Sequence, residues 1–155
     1  MDLEEALYEA LDDEYRARAT YRAVLALFGE VRPFVNIVES EGRHIEALAA
    51  LYRRRGLPVP EDRWAGRVEA PESVAAACEL GIAAEVENAA LYDRLLEAAR
   101  GEPDVEAVFQ RLREASQTRH LPAFQRGLER ERGGSGRGEG RRGRRRARWR
   151  GGEGK

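Results

Sequence analysis

Two short segments carry carboxylate, amide and imidazole groups at a spacing that suits metal binding. They read Glu41-Gly42-Arg43-His44 and Gln117-Thr118-Arg119-His120. Positions i and i+3 of a helix lie on one face about a turn apart, so Glu41 and His44 can reach the same ion. The second segment keeps this spacing but has an amide in place of the carboxylate. Each of the two histidines in the chain ends one of these segments, which predicts a metal pair inside a four-helix bundle, with one ligand altered.

The composition indicates one all-helical domain followed by a basic tail. The chain has 155 residues, with 42% hydrophobic and 35% charged residues, which suits a helical core with charged outer faces. Residues 133–155 carry eight Arg and one Lys against two Glu, a net charge of +7. Because the whole chain carries −1, residues 1–132 carry −8. We therefore predict a bundle over residues 1–132 and a disordered Gly/Arg-rich tail over residues 133–155.

Several features bear on the cellular setting and the partners. Cys78 is the only cysteine, which excludes an internal disulfide and a Cys-x-x-Cys metal or redox module. The chain begins with an acidic segment of helical pattern and has no apolar run near the ~18 residues of a membrane span, so we expect a cytoplasmic protein without membrane contact. The arginines of the tail, with Trp149 among them, are compatible with nucleic-acid binding, although a solubilising tail or a biased composition is favoured.

Hydrophobic periodicity predicts four helices. The first covers about residues 3–28, the second lies between Pro33 and Gly56, the third begins near Pro71, and the fourth follows Gly101 and Pro103. The second helix has the clearest inward stripe, which consists of Phe34, Ile37, Glu41, His44, Leu48 and Leu51. The stripe of the fourth helix consists of Val105, Phe109, Leu112, Ser116, His120 and Phe124. Pro122 lies inside this last helix, where we expect a kink or a π-bulge beside His120.

The lengths of the links predict the topology. Short links join helices one to two and three to four, which makes each pair an antiparallel hairpin. Residues 56–70 separate the pairs and can span roughly 50 Å when extended, against about 30 Å for a 20-residue helix. A crossover along the bundle is therefore possible, as in ferritin-like folds, and Trp64 is expected to anchor it on the bundle surface.

Ionisable residues interrupt these apolar stripes near the middle of every helix. They are Glu14, Glu41, His44, Glu85 and His120. A buried carboxylate is protonated, paired or bound to a metal. Taken singly, each has an ordinary explanation, since Arg18 or Arg119 can pair with a core carboxylate and a core histidine is often only hydrogen-bonded. Their coincidence in all four helices favours a metal site. A Tyr seven residues after Glu14 and another seven after Glu85 also indicate a duplicated helix pair.

These residues resemble those of the ferritin/rubrerythrin-like diiron four-helix bundles. Three segments are similar to a prokaryotic ferritin-like branch described as a domain of unknown function: Asp13-Glu14-Tyr15, Phe28-Gly29-Glu30-Val31-Arg32-Pro33-Phe34, and His120-Leu121-Pro122-Ala123-Phe124. The resemblance extends over about residues 3–126. It implies terminal carboxylates from Glu14 and Glu85, and a bridging carboxylate with a terminal imidazole from each of helices two and four. Gln117 takes the second bridging position in this pattern, where an amide offers one neutral oxygen in place of two anionic ones.

The resemblance implies iron as the cofactor, with two ions, or one if Gln117 impairs the site; another divalent metal remains open. It also implies diiron oxidoreductase activity of a peroxidase-like or ferroxidase-like kind, or iron handling, with dioxygen or peroxide as oxidant. A peroxidase would need a separate electron donor, since the chain has no Cys-rich segment. The alternative is a non-catalytic ferritin-like bundle, possibly a homodimer, that acts as a binding or stress-associated scaffold.

Overall fold

The structure is a computed structural model that describes residues 1–133, and all regular structure in this range is helical. Its elements are α1 (Leu3–Phe28), α2 (Phe34–Arg54), α3 (Val74–Ala98), α4 (Pro103–Ala115), a π-helical turn (Ser116–His120) and α5 (Leu121–Gly133). The last three run without interruption and together form the fourth helix of the bundle. The tail predicted beyond this helix, residues 134–155, lies outside the described residues. No helix in residues 1–133 is both long and apolar enough to cross a membrane.

Local capping explains where the helices begin and end. Asp2 and Glu5 form a reciprocal capping box at the start of α1, in which the Glu5 backbone N–H donates to Asp2 Oδ1 at 2.8 Å. Gly29, with φ of 83°, ends this helix because the left-handed region favours glycine. The third helix begins three residues after Pro71, since the Ser73 hydroxyl accepts a hydrogen bond from the Ala76 N–H.

The four helices pack as two antiparallel pairs, as the link lengths predict. Helix α1 packs on α2 and α3, while α3 packs on α4 and α5. The long connection from Arg55 to Ser73 crosses between the pairs, and Trp64 fixes it to α1. The Trp64 indole N–H donates to Asp12 Oδ1 at 3.0 Å, and the Arg63 guanidinium lies over the indole ring, 4.7 Å from its centroid. The predicted role of Trp64 is therefore confirmed.

The fourth helix widens into a π-helical turn just before Pro122, which confirms that prediction. The Leu121 N–H donates to the Ser116 carbonyl, five residues earlier. Pro122 has no N–H and its ring crowds the carbonyl four residues before it, so the regular hydrogen-bond ladder cannot continue there. The wider turn changes which side chains of the segment Ser116–His120 face the core.

Two apolar clusters fill the bundle, with a layer of polar side chains between them. One cluster is centred on Leu11, Leu48, Tyr92, Leu95 and Phe109, and the other on Tyr21, Val24, Phe34, Cys78 and Phe124. Every residue of the predicted stripes of α2 and of the fourth helix is buried. In α1 and α3 the stripes are slightly displaced, since Val24 and Leu95 are buried while Leu25 and Leu96 are only half-buried.

Candidate metal centre

The four helices bring five ionisable side chains into one buried layer, hereafter the polar layer. It contains Glu14 from α1, Glu41 and His44 from α2, Glu85 from α3 and His120 from the π-helical turn. All five residues are less than 9% exposed. The rings of the two histidines stack with centroids 5.4 Å apart. The sequence predicted this convergence from positions on separate helices, and the structure brings these five residues together.

Within the polar layer, the ligand atoms form two overlapping triads. One consists of Glu14, Glu41 and His44, and the other of Glu41, Glu85 and His120, so Glu41 belongs to both. Its two oxygens point to different histidines: Glu41 Oε2 lies 3.9 Å from His44 Nδ1, and Glu41 Oε1 lies 3.4 Å from His120 Nδ1. This is the arrangement expected of a carboxylate that bridges two cations.

The spacing within the triads fits coordination better than hydrogen bonding. His44 Nδ1 lies 3.6 Å from Glu14 Oε2, and His120 Nδ1 lies 3.3 Å from Glu85 Oε1. Distances of 3.3–3.9 Å exceed the usual N–H···O range. Two ligand atoms that each lie about 2.0–2.2 Å from one ion are at most about 4.4 Å apart, so every pair meets this limit.

Two atoms of the polar layer have no hydrogen-bond partner among the described residues. They are Glu41 Oε2 and His44 Nδ1, both fully buried and both directed at the same point between α1 and α2. Leaving such groups unsatisfied costs about 1–3 kcal/mol each, and more when they are charged. A cation at this point would satisfy both, so the donor set of two imidazole nitrogens and three carboxylates fits a divalent metal pair.

Two tyrosines hold the terminal carboxylates in place. Tyr92 of α3 donates to Glu14 Oε1 at 2.8 Å, and Tyr21 of α1 donates to Glu85 Oε2 at 3.0 Å. Each tyrosine thus supports the carboxylate of the other helix, which gives the site an approximate two-fold arrangement. This reciprocal contact explains the seven-residue Glu-to-Tyr spacing found in both helices, because each tyrosine lies two turns from the acid of its own helix.

The two serines of the layer are contacts that the sequence analysis did not assign to the site. The Ser116 hydroxyl lies 2.8 Å from Glu85 Oε1 and 3.0 Å from the Glu85 carbonyl oxygen, to which it can donate. Ser40 Oγ lies 2.9 Å from His120 Nε2 and 3.4 Å from His44 Nε2. Ser40 therefore orients both imidazoles with Nδ1 toward the carboxylates, as the outer partner of a metal-binding histidine does.

A repeat in the sequence contains the signal for these serines. Residues 40–44 read Ser-Glu-Gly-Arg-His and residues 116–120 read Ser-Gln-Thr-Arg-His, so each histidine follows a serine by four positions. Serine, arginine and histidine recur together in both halves of the duplicated helix pair. The Glu-x-x-His spacing alone gives Ser40 and Ser116 no role.

The predicted position of Gln117 is wrong. Its side chain is exposed, whereas its neighbour Ser116 is only 1% exposed and takes the inward position. A π-helical turn has more residues per turn than an α-helix, so residues i and i+3 no longer share a face. Gln117 is therefore rotated out of the layer while Ser116 and His120 remain in it. The fourth helix supplies a hydroxyl where the diiron pattern has a carboxylate.

Burial and mutual repulsion separate the pKa values of the two carboxyls nearest His44. Burial, followed by the charge of Glu14, raises the pKa of Glu41 well above its usual range. Burial also acts to raise the pKa of Glu14, but the neighbouring Glu41 carboxyl and His44 outweigh it and lower this pKa to about 2. In the metal-free protein, the proton shared by this pair therefore resides on Glu41.

The arginines that were alternatives for pairing lie elsewhere. Arg18 pairs with Asp62 of the crossover at 3.2 Å, and Arg119 is exposed on the surface of the fourth helix. Glu87 and Glu114 are exposed, as the sequence favoured. The carboxylates of the polar layer have no arginine partner in residues 1–133, which removes the ordinary explanation for buried acids.

An acidic pocket opens from the polar layer between α1 and α3. Its volume is about 70 Å³, and its walls include Glu14, Glu41 and Glu85, with Asp13 and Glu87 also lining it. Asn88 donates to Asp13 Oδ2 at 2.7 Å. Burial, followed by the charge of Glu14, raises the pKa of Asp13 to about 6. Carboxylates that line an opening of this kind attract cations toward the site.

Comparisons with solved structures identify the fold. A hypothetical protein from Methanococcus jannaschii superposes with a TM-score of 0.71 and 24% identity, over 81% of this chain and 78% of that one. A bacterioferritin from Desulfovibrio desulfuricans, solved to show its diiron site in different catalytic states, superposes with a TM-score of 0.62 and 18% identity, over 86% of this chain and 85% of that one. The sequence matches no protein-family model and no curated protein. The chain thus has the ferritin-like four-helix fold that its sequence predicts.

Proposed function

We propose that the polar layer binds two divalent metal ions, with iron as the physiological metal, and that Glu41 bridges them. The observation that carries this proposal is the sharing of Glu41 between two buried triads, each completed by a histidine. The unpartnered Glu41 Oε2 and His44 Nδ1 support it. The fold is also that of the bacterioferritin, whose solved structure contains a diiron site.

In this assignment, Glu14 with His44 and Glu85 with His120 hold one ion each. An iron pair would supply redox chemistry toward dioxygen or peroxide, which makes the protein an iron-handling protein or a diiron oxidoreductase. Tyr21 and Tyr92 hold the terminal carboxylates and exclude water from the two ends of the layer, since both are buried. Three carboxylates leave one positive charge uncompensated on two divalent ions, so the second ion binds more weakly than the first. A peroxidase reaction would further need electrons from a separate donor protein.

Anaerobic titration with ferrous iron tests the metal assignment. The metal-free, full-length protein should bind close to two ions, and Glu41→Gln should bind at most one because it removes the shared anionic ligand. Glu39→Gln is the matched control, since it makes the same chemical change on the exposed face of the same helix. The control should bind as the unaltered protein does.

Two results would contradict the proposal. One is equal binding by Glu41→Gln and Glu39→Gln, which would place iron on surface carboxylates. The other is no binding by the unaltered protein, whether ferrous iron, manganese or zinc is added. In that case, the polar layer is a hydrogen-bonded core of a non-catalytic bundle.

A further inference from the structure

A second pocket, on the opposite side of the polar layer from the acidic one, has the opposite charge. It lies between α2 and α5, has a volume of about 360 Å³, and contains five arginines and no carboxylate. These arginines define the arginine pocket: Arg32, Arg43, Arg119, Arg126 and Arg130. All five are exposed, and the deeper wall of the pocket includes the buried residues Ser40 and His120.

The arginines of this pocket have no acidic partners. The ion-paired arginines of residues 1–133 are others, namely Arg18, Arg53, Arg54, Arg55, Arg63, Arg100, Arg113 and Arg132. Residues 1–132 carry a net charge of −8, so a group of five unpaired guanidinium groups runs against the overall charge. Their mutual repulsion costs free energy that a bound anion would offset.

The duplicated segments contribute equivalent residues to this pocket. Arg43 precedes His44 and Arg119 precedes His120, and both arginines line the same pocket although they come from different halves of the chain. Ser40, at the buried wall, has its hydroxyl within 2.9 Å of His120 Nε2. A serine hydroxyl can accept a hydrogen bond from the imidazole N–H while it donates its own proton to an anion in the pocket.

We propose that the arginine pocket binds a small oxyanion with two or more negative charges, of the phosphate or polycarboxylate class. The planar guanidinium group presents paired N–H donors that match the oxygens of such groups. The volume is that of a small-ligand site, and a concave pocket suits a small molecule better than a flat protein or nucleic-acid surface. Ser40 would connect the bound anion to both histidines of the polar layer. The anion site does not depend on the metal assignment, because its residues are not metal ligands apart from His120.

Calorimetric titration of the metal-free, full-length protein with inorganic pyrophosphate and with citrate, at constant ionic strength, tests this proposal. The double variant Arg43→Gln/Arg119→Gln removes one pocket arginine from each half of the chain. It should bind the anions about tenfold more weakly or less, since hydrogen bonds to charged groups are lost. Asn36→Trp narrows the same pocket without a change in charge and should also weaken binding.

Two controls remove the same charge elsewhere. Arg94→Gln/Arg111→Gln alters exposed arginines of α3 and α4 that do not line the pocket. Arg141→Gln/Arg142→Gln alters the basic tail. Both should bind within about twofold of the unaltered protein, because exposed charges far from the pocket are screened.

Binding that falls equally in the pocket variant and in either control would overturn the proposal, since the anions would then follow net charge or the tail. Undiminished binding by Arg43→Gln/Arg119→Gln would overturn it as well, as would the absence of binding by the unaltered protein. Because these measurements use metal-free protein, they can fail while the iron titration succeeds, and the reverse also holds.

Discussion

Glu41 differs from the other buried acids because it lies within reach of both histidines. Glu14 and Glu85 are each held by a tyrosine hydroxyl, whereas one oxygen of Glu41 has no partner among the described residues. The chemistry of the site therefore depends on the protonation and the ligands of Glu41. Ser116 is the second residue on which the site depends, because it occupies the inward position of the fourth helix.

Metal uptake should release protons below the raised pKa of Glu41. A folded-state pKa well above the usual value of 4.5 means that this carboxyl keeps its proton in the metal-free protein at mildly acidic pH. A metal ligates the carboxylate form, so the proton must leave and the affinity should increase as the pH rises. Calorimetry in buffers of different ionisation enthalpy should show the release, which Glu41→Gln should reduce. An affinity that does not change between pH 5.5 and pH 7.5 would contradict this assignment.

A carboxylate introduced at position 116 should act very differently from one introduced at position 117. Ser116→Asp places a fourth anion beside Glu85 in the buried layer, which should destabilise the metal-free protein by about 2 kcal/mol through burial and repulsion. The same anion should strengthen the binding of the second divalent ion.

Gln117→Asp is the matched control, since it adds the same group to the exposed face of the same turn. It should leave both properties within the error of the measurement. Urea unfolding without metal, together with ferrous iron titration, measures the two effects. If Gln117→Asp strengthens metal binding instead, the inward and outward residues of the π-helical turn have been assigned the wrong way round.

At the scale of the helices, close approach between α3 and α5 holds the fourth helix in position. A Cβ atom on Gly81 would lie only 2.7–2.8 Å from the ring of Phe124, which is fully buried. On α2, a Cβ atom on Gly42 would meet no atom within 4 Å. Gly81 thus permits a contact one turn before Glu85, while Gly42 has no packing role.

Alanine at these two glycines should therefore have opposite effects. Gly81→Ala should destabilise the protein by about 1–3 kcal/mol, because the Phe124 ring must move within a packed core. Gly42→Ala should stabilise it by about 0.5–1 kcal/mol, since alanine loses less backbone entropy in a helix. Thermal unfolding of both variants measures the difference. A Gly81→Ala protein as stable as Gly42→Ala would show that the two helices are further apart than described.

Most of the fold could be predicted from the sequence because it depends on local patterns. Apolar spacing, Gly29, Pro103 and the length of the crossover determine the helices and their pairing, and the ionisable residues in the stripes predict the polar layer. Gln117 was misplaced because a uniform helical period was applied across Pro122. The π-helical turn rotates one side chain outward, and its effect on register depends on packing that the sequence pattern does not contain. The convergence of Arg43 and Arg119 likewise required the packing of α2 against the fourth helix.

At the scale of the whole molecule, charge is divided between regions. The acidic pocket faces one side of the polar layer, the arginine pocket faces the other, and the tail carries +7. All candidate ligands lie in residues 1–133. Cations and anions can therefore approach the site from different sides.

Deletion of residues 134–155 should leave metal binding and thermal stability unchanged. The two apolar clusters and both ligand triads are complete within the bundle. If the tail contacts nucleic acid, the full-length protein should retard DNA or RNA at low salt and lose this binding steeply as salt rises, whereas the shortened protein should bind under neither condition. A shortened protein that loses metal or unfolds at a much lower temperature would show that the tail packs on the bundle.

The central claim is that Glu41 bridges two metal ions. Anomalous diffraction at the iron edge, from crystals grown anaerobically with ferrous iron, tests it most directly. Two peaks should lie in the polar layer about 3.5–4 Å apart, the separation typical of two-metal sites. One peak should contact Glu14 and His44, the other Glu85 and His120, and Glu41 should contact both. Peaks confined to surface carboxylates, or a single ion that Glu41 does not touch, would contradict the account.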